Sequence, residues 1–169
     1  METTSTTTGQ KVSGFYEDDH DRLDHLFKQF QELKRTHFSL AKTAFTEFKF
    51  GLQRHIIWEE EILFPLFERK TGLTQGGPTH VMRMEHRLIG KYLEEIHQKV
   101  KAGNTDSEGE EQMLLNTLFA HNQKEEQILY PAIDRTLSDS EREGIFKTMR
   151  ELPEARYQHC CNPATENKS

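Results

Sequence analysis

The sequence predicts an all-α protein, an antiparallel up-down four-helix bundle with a short fifth helix at the C-terminus. Three observations support this class. Of the 169 residues, 34% are hydrophobic and 30% are charged, a balance typical of amphipathic helices that each bury one stripe. Apolar residues recur at helical spacing in four long segments. Turn-forming sequences, "GLTQGGPT" at 72–79 and "AGNTDSEGE" at 102–110, separate some of these segments.

Each of the four long helices is predicted from one stripe of residues spaced three or four apart, which places them on one helix face. The stripes are Tyr16, His20, Leu23, Phe27 and Phe30 in the first helix; Phe45, Phe48, Leu52, His55, Glu59, Ile62 and Leu66 in the second; Met82, His86, Ile89, Leu93, Ile96 and Val100 in the third; and Leu114, Leu118, His121, Glu125, Ile128 and Ala132 in the fourth.

Helix ends are indicated by capping and proline signals. Ser107 with Glu110 has capping-box spacing, and Ser138 with Glu141 repeats it, which predicts a fifth helix over 139–151. Prolines at 65 and 131 should kink the second and fourth helices or end them within a turn. We therefore divide the chain into a disordered polar tail at 1–13, a bundle at 14–137, a short helix at 138–152 and an irregular tail at 153–169.

Charge and composition narrow the functional class. The net charge is −6 and no basic run occurs, so no nucleic-acid partner is expected. No apolar stretch approaches the length of about 20 residues needed to span a bilayer, so no membrane association is expected. The polar start argues against secretion. The two cysteines, Cys160 and Cys161, form no disulfide framework. Together these features predict a cytoplasmic protein.

One phrase occurs twice in the chain. "HIIWEEEILFP" begins at His55 and "HNQKEEQILYP" begins at His121, an offset of 66 residues (121 − 55 = 66). The same offset relates His20 in "DDH" to His86 in "MEH". The sequence therefore predicts two helical hairpins with one plan. Each carries a histidine on its first helix, then a histidine and a glutamate one turn apart on its second.

Six residues of this repeat are candidate metal ligands. The stripes place them on buried faces, where an unpaired carboxylate is very costly, and no lysine or arginine lies on those stripes at that level. Two cations bound across a pseudo-twofold axis and bridged by glutamates would satisfy them. Imidazole and carboxylate without thiolate suit iron, with zinc or manganese as possible substitutes. The predicted ligands are His20, His55, Glu59, His86, His121 and Glu125. The neighbouring Glu60 and Glu126 are expected at the surface or as hydrogen-bond partners of the ligands.

The segments "DDHDRLD", "HIIWEEEILFP", "GPTHVMRMEH" and "HNQKEEQILYP" resemble the hemerythrin-like family, also called the HHE cation-binding domain, over roughly residues 15–135. The resemblance implies an antiparallel four-helix bundle around a non-haem di-iron centre. Two carboxylates and an oxo or hydroxo group would bridge the irons. It also implies that the six residues above are the ligands, with Glu59 and Glu125 bridging.

The chain departs from the oxygen-carrying members at one position. Those proteins have a further histidine one turn before the third-helix ligand, where this chain has Met82, a poor ligand for oxidised iron. His80 could supply it only if residues 78–81 remain in a loop. Tyr16, one turn before His20, is either a further ligand, a hydrogen-bond donor to a bound oxygen species, or a core residue.

Two classes of function remain open. The first is a protein that binds or senses O₂ or NO, for which a protein partner would carry any signal onward. The alternative is a di-iron redox enzyme acting in peroxide or NO detoxification, oxidase-type chemistry or iron–sulfur repair. Repair proteins usually carry an additional cysteine-bearing N-terminal domain, where this chain has a short polar tail. The small ligand is O₂, NO or peroxide in either class, and the sequence does not decide whether the protein is an enzyme.

Overall fold

The computed structural model describes residues 9–158, and the regular elements in that range are all helical, which confirms the all-α prediction. Cys160, Cys161 and most of both predicted tails lie outside the described residues. The helices are α1 (Val12–Leu33), α2 (Phe38–Trp58), α3 (Phe64–Thr71), α4 (Pro78–Lys101), α5 (Glu108–Lys124), α6 (Tyr130–Thr136) and α7 (Asp139–Glu151). A π-helical turn, Glu59–Leu63, joins α2 to α3, a second, Glu125–Leu129, joins α5 to α6, and a 3-10 helix covers Glu154–Gln158.

The helices pack as two pairs. α1 lies along α2, and α4 lies along α5, while α6 contacts α1 and α7 contacts the first π turn. Because each π turn continues its helix, the chain forms four long helical segments and the additional α7. This arrangement is compatible with the predicted four-helix bundle, and the division of the chain at 14–137 and 138–152 stays a prediction. No helix within residues 9–158 is long and apolar enough to cross a membrane.

Two apolar clusters fill the interior and leave a polar layer between them. The first cluster joins α1, α2, α4 and α5 through Phe27, Phe30, Phe45, Phe48 and Ile89 among others. The second joins α1, α3, α4, α6 and α7, and includes Tyr16, Phe64, Met82, Tyr130 and Met149. On α1, His20 lies between a member of the second cluster and one of the first, and His86 does the same on α4. The stripes therefore place the histidines in a layer sealed by apolar side chains on both sides.

Beyond each π turn, the buried residues differ from those of the predicted stripes. A π turn closes its hydrogen bond one residue later than an α turn, so the buried face shifts by one residue beyond it. Ile128 was predicted to be in the core and is instead 62% exposed, because Leu129, Tyr130 and Ile133 take the buried face. The same shift occurs in the first hairpin, where Leu63, Phe64 and Phe67 are buried while Ile62 and Leu66 are half-buried.

The π turns also explain why the prolines do not end their helices. The backbone N–H of Phe64 donates to the carbonyl of Glu59, so the widened turn is complete just before Pro65. Proline lacks the N–H that would reach the carbonyl of Glu60, and the Nη1 of Arg83 donates to that oxygen at 3.1 Å instead. The helices continue to Thr71 and Thr136. Of the two predicted effects of proline, a kink or an end within a turn, the second is wrong.

Helix termini agree with the sequence in part. The capping box of Ser138 and Glu141 is confirmed, since each side chain bonds to the other's backbone N–H. The predicted box at Ser107 is wrong, because its hydroxyl donates to the carboxylate of Glu111 rather than capping the backbone. α1 begins at Val12, before the predicted boundary at 14. The N–H of Val12 donates to Oδ1 of Asp134 at 2.8 Å, which anchors the start of α1 to α6.

Candidate metal centre

The polar layer between the two clusters contains the six residues predicted from the repeat. Each is at most 3% exposed, and both glutamates are fully buried. The residues come from four helical segments, α1, α2 with its π turn, α4, and α5 with its π turn. They are His20, His55, Glu59, His86, His121 and Glu125. Both glutamates begin a π turn, so the irregular backbone starts at the acidic residues of the site.

All four histidines turn Nε2 toward the centre of this layer. Nε2 of His20 lies 3.2 Å from Nε2 of His55 and 3.5 Å from Oε1 of Glu125. Nε2 of His121 lies 3.0 Å from Oε1 of Glu125. Such short separations between potential acceptor atoms are unfavourable unless a proton or a cation lies between them.

The potential ligand atoms fall into two overlapping groups. Glu59, His86, His121 and Glu125 form one, and His20, His55 and Glu125 form the other, with all ligand atoms of a group within 4.8 Å of one another. Glu125 belongs to both. Oε1 of Glu59 lies 3.1 Å from Nε2 of His55 and 3.7 Å from Nε2 of His86, so Glu59 also spans the two groups. We call them the His20/His55 position and the His86/His121 position.

Several buried atoms of the layer have no hydrogen-bond partner within residues 9–158. They are Oε1 of Glu59, Nε2 of His86 and both carboxylate oxygens of Glu125. Leaving a buried polar atom unpaired costs about 1–3 kcal/mol, and more for a charged one. These nitrogen and oxygen atoms are potential metal ligands directed at the same two positions, so metal cations would satisfy all of them at once. The donor set therefore fits two metal ions.

The opposite ring nitrogen of each of these four histidines meets a carboxylate. Nδ1 of His20 lies 2.7 Å from Glu126, and Nδ1 of His86 lies 2.8 Å from Glu60. These two contacts cross from one hairpin to the other. Within each hairpin, Nδ1 of His55 lies 2.9 Å from Asp19, and Nδ1 of His121 lies 2.8 Å from Glu85. A carboxylate at Nδ1 holds the proton there and leaves Nε2 free to bind a metal.

These outer carboxylates obey the same repeat. Asp19 and Glu85 are 66 positions apart, as are Glu60 and Glu126 (85 − 19 = 126 − 60 = 66). The alternative that Glu60 and Glu126 partner the predicted ligands is confirmed. Asp19 and Glu85 were missed, although each directly precedes an aligned histidine in "DDH" and "MEH". That shared acidic neighbour is the sequence signal that could have found them.

Burial has the largest effect on the electrostatics of this layer. Burial, and then the charge of Glu125, raise the pKa of Glu59 well above its ordinary value. Burial opposes ionisation of Glu125 as well, but the charge of His121 lowers its pKa well below the ordinary value. Burial opposes the charge on His121, yet Glu125 raises its pKa to about 10. Burial lowers the pKa of His86.

Tyr130 reaches the centre and was not predicted as a site residue. Its hydroxyl lies 3.2 Å from Oε2 of Glu59, 3.3 Å from Nε2 of His55 and 3.5 Å from Nε2 of His20. Tyr16 stacks on Tyr130 with ring centroids 4.9 Å apart, and its buried hydroxyl has no hydrogen-bond partner in the described part of the chain.

The remaining histidines of the described chain lie elsewhere. α4 begins at Pro78, so His80 is already helical, and its side chain is exposed. The loop that would have let His80 enter the centre is therefore not present. His25 and His37 are also exposed, and the half-buried His97 stacks against Phe45. Met82 is buried in the second apolar cluster.

Helical segments that bury histidines and glutamates in two groups able to hold a cation define a class of helical metal-binding domains. The sequence matches the family described as the hemerythrin HHE cation-binding domain over residues 12–151, and the chain belongs to that family.

Among curated proteins, the chain is similar to the iron-sulfur cluster repair protein YtfE. It is 28% identical to YtfE of Yersinia pseudotuberculosis serotype IB (strain PB1/+) over 96 residues, which cover 52% of this chain and 42% of that protein. It is 27% identical to YtfE of Yersinia pestis (strain Pestoides F) over a segment of the same length and coverage. The match thus spans less than half the length of these relatives. No solved structure matches the chain significantly.

Proposed function

We propose that this chain is a non-haem di-iron protein of the cytoplasm, built as an antiparallel four-helix bundle, that binds or senses O₂ or NO. The ligands in this proposal are His20, His55, Glu59, His86, His121 and Glu125, with both glutamates bridging. The observation that carries it is the set of buried, unpartnered donor atoms on Glu59, His86 and Glu125. A second support is the outer carboxylate on each histidine, since metal-ligating histidines commonly carry such a partner. Reduced iron at this site would supply electrons and an open coordination position to a small ligand.

A small cavity beside the centre favours a small ligand. It has room for about one water-sized molecule. Three imidazoles, those of His20, His55 and His121, line it, and most of its remaining wall is apolar side chains of the first cluster. This size favours the smallest ligands over a larger metabolite.

A surface groove supplies a route to this cavity. The groove runs between α1 and α5 and measures about 710 Å³. It shares His20, Asp24, Leu118 and Asn122 with the wall of the cavity. The groove and the cavity therefore adjoin at these four residues, one of which is the proposed ligand His20.

The second candidate function is a di-iron redox activity such as peroxide or NO detoxification or iron–sulfur repair. The similarity to proteins named for iron-sulfur cluster repair favours it. Tyr130 also favours it, because its hydroxyl lies within 3.2 to 3.5 Å of Glu59, His55 and His20, where it would influence the reduction potential of a bound iron. In this function the same six residues hold the iron, and the outer carboxylates set the orientation of the imidazoles.

The test is metal analysis and optical spectroscopy of protein produced with ample iron and purified without oxygen. Di-iron occupancy predicts about two irons per chain. Adding O₂ or NO to the reduced protein should give a stable, reversible adduct spectrum for the binding function. Immediate oxidation without an adduct, or decay of added peroxide, supports the redox alternative. A chain that retains one metal, or only zinc, contradicts both.

A further inference from the structure

At two buried positions of the repeat, one half of the centre has a tyrosine where the other half has an apolar side chain. Tyr130 corresponds to Phe64, and Tyr16 corresponds to Met82, each 66 residues apart (130 − 64 = 82 − 16 = 66). All four residues are buried in the second apolar cluster. Both tyrosines lie against the His20/His55 position, where the Tyr16 ring is 4.9 Å from that of His55. At the His86/His121 position Phe64 stacks on His86, with centroids 6.0 Å apart and planes 5° apart.

The hydroxyl of Tyr130 has the spacing of a metal ligand. Adjacent ligands of one metal ion at about 2.1 Å from it lie about 3 Å from one another. The hydroxyl oxygen lies 3.2 Å from Glu59, 3.3 Å from His55 and 3.5 Å from His20. The two imidazole nitrogens of that group are themselves 3.2 Å apart. Tyr130 therefore stands in the same shell as the predicted ligands.

Packing fixes the ring in this place. Tyr130 has no exposed surface, begins α6 directly after the second π turn, and stacks on Tyr16 at an angle of 25° between the rings. The extra residue of the π turn is what turns position 130 toward the interior, as the exposure of Ile128 shows. Phe64 has the same place in the first hairpin but carries no donor atom.

We propose that Tyr130 is a seventh protein ligand, and that its phenolate oxygen binds the metal ion of the His20/His55 position alone. The inference rests on the proposed di-iron function. On binding, the O–H bond of Tyr130 breaks, its proton leaves to solvent, and an oxygen–metal bond forms without any electron transfer. An anionic oxygen stabilises the more highly charged metal ion, so iron at this position is harder to reduce than iron at the other. The centre is thus asymmetric in spite of the repeat.

The test uses the full chain loaded with ferric iron. A phenolate ligand gives a visible charge-transfer band, and excitation in that band enhances phenolate ring vibrations in the Raman spectrum. Tyr130→Phe should abolish both signals while about two irons per chain remain, because the six other ligands are intact. Tyr16→Phe is the matched control, being equally buried and adjacent to His55, and it should keep both signals.

The outcomes separate this inference from the proposed function. Failure of the unmutated chain to take up iron refutes the function, whereas two irons without phenolate vibrations refute only the role of Tyr130. Signals that survive Tyr130→Phe, or that Tyr16→Phe removes, also overturn it. Zinc gives a test that needs no variant. Adding zinc to the metal-free chain should produce the near-ultraviolet difference absorption of one tyrosinate, and its absence while zinc binds contradicts the proposal.

Discussion

Replacing one outer carboxylate at a time should weaken metal binding in proportion to its burial. Removing such a partner from a metal-bound histidine typically costs about 10–100-fold in metal affinity. The side chain of Asp19 is 9% exposed and that of Glu126 is 37% exposed, although their contacts with Nδ1 of His55 and His20 are similar, at 2.9 and 2.7 Å. Water competes more strongly for the hydrogen bond of the exposed Glu126 than for that of the buried Asp19. We therefore expect metal affinity to fall about 100-fold for Asp19→Asn and about 10-fold for Glu126→Gln. These losses correspond to about 2.7 and 1.4 kcal/mol of binding free energy.

Metal affinity is measured by competition with a chelator of known strength, using zinc in air and ferrous iron without oxygen. Asp18→Asn is the matched control, since its exposed side chain neighbours Asp19 in "DDH" and removes the same charge. Circular dichroism of the metal-free variants checks that helix content is unchanged. An affinity for Asp19→Asn equal to that of the control, or a larger loss for Glu126→Gln than for Asp19→Asn, refutes the reasoning.

Three further predictions concern the ligands and their protons. Metal binding should release protons and strengthen as pH rises. The raised pKa of Glu59 and the pKa of about 10 for His121 favour protons on these groups, and a bound cation would displace them. Calorimetry in buffers of different ionisation enthalpy measures the release, and pH-independent affinity contradicts it. Added zinc should raise the melting temperature of the unmutated chain, because it binds the folded state. Glu125→Ala removes a carboxylate common to both groups, so this increase should be lost. An unchanged increase excludes a bridging role. His25→Ala and His80→Ala should keep full metal content, since both side chains are exposed. A loss of metal equal to that of His86→Ala would refute the assignment of the ligands from the repeat.

The repeat made the centre predictable, because the offset of 66 residues could be read without knowing any backbone geometry. A histidine and a glutamate one turn apart share a helix face wherever the helix is regular. His55 with Glu59 and His121 with Glu125 each precede the irregular turn, so their juxtaposition followed from helical spacing. The clustering of the six residues was therefore accessible from the sequence.

The buried residues beyond each π turn could not be predicted from the sequence in the same way. A π turn leaves no change in hydrophobic spacing that a stripe of three and four can detect, so Ile128 was placed in the core and Tyr130 was treated only as part of a motif. Asp19 was missed for a different reason. Its role depends on reaching His55 on the neighbouring helix, and that distance is set by packing between α1 and α2 rather than by spacing along α1.

Each hairpin contributes carboxylates to the histidines of the other hairpin, and this should affect the rate of metal dissociation. The His20/His55 position takes Glu125 from the second hairpin, and the carboxylate that steadies His20 comes from Glu126 beside it. The His86/His121 position likewise takes Glu59, and Glu60 steadies His86. An ion bound in the proposed centre would therefore connect the two hairpins, and it could leave only when they separate. The metal's residence time should follow the rate at which the hairpins part, with the steep temperature dependence of an unfolding step.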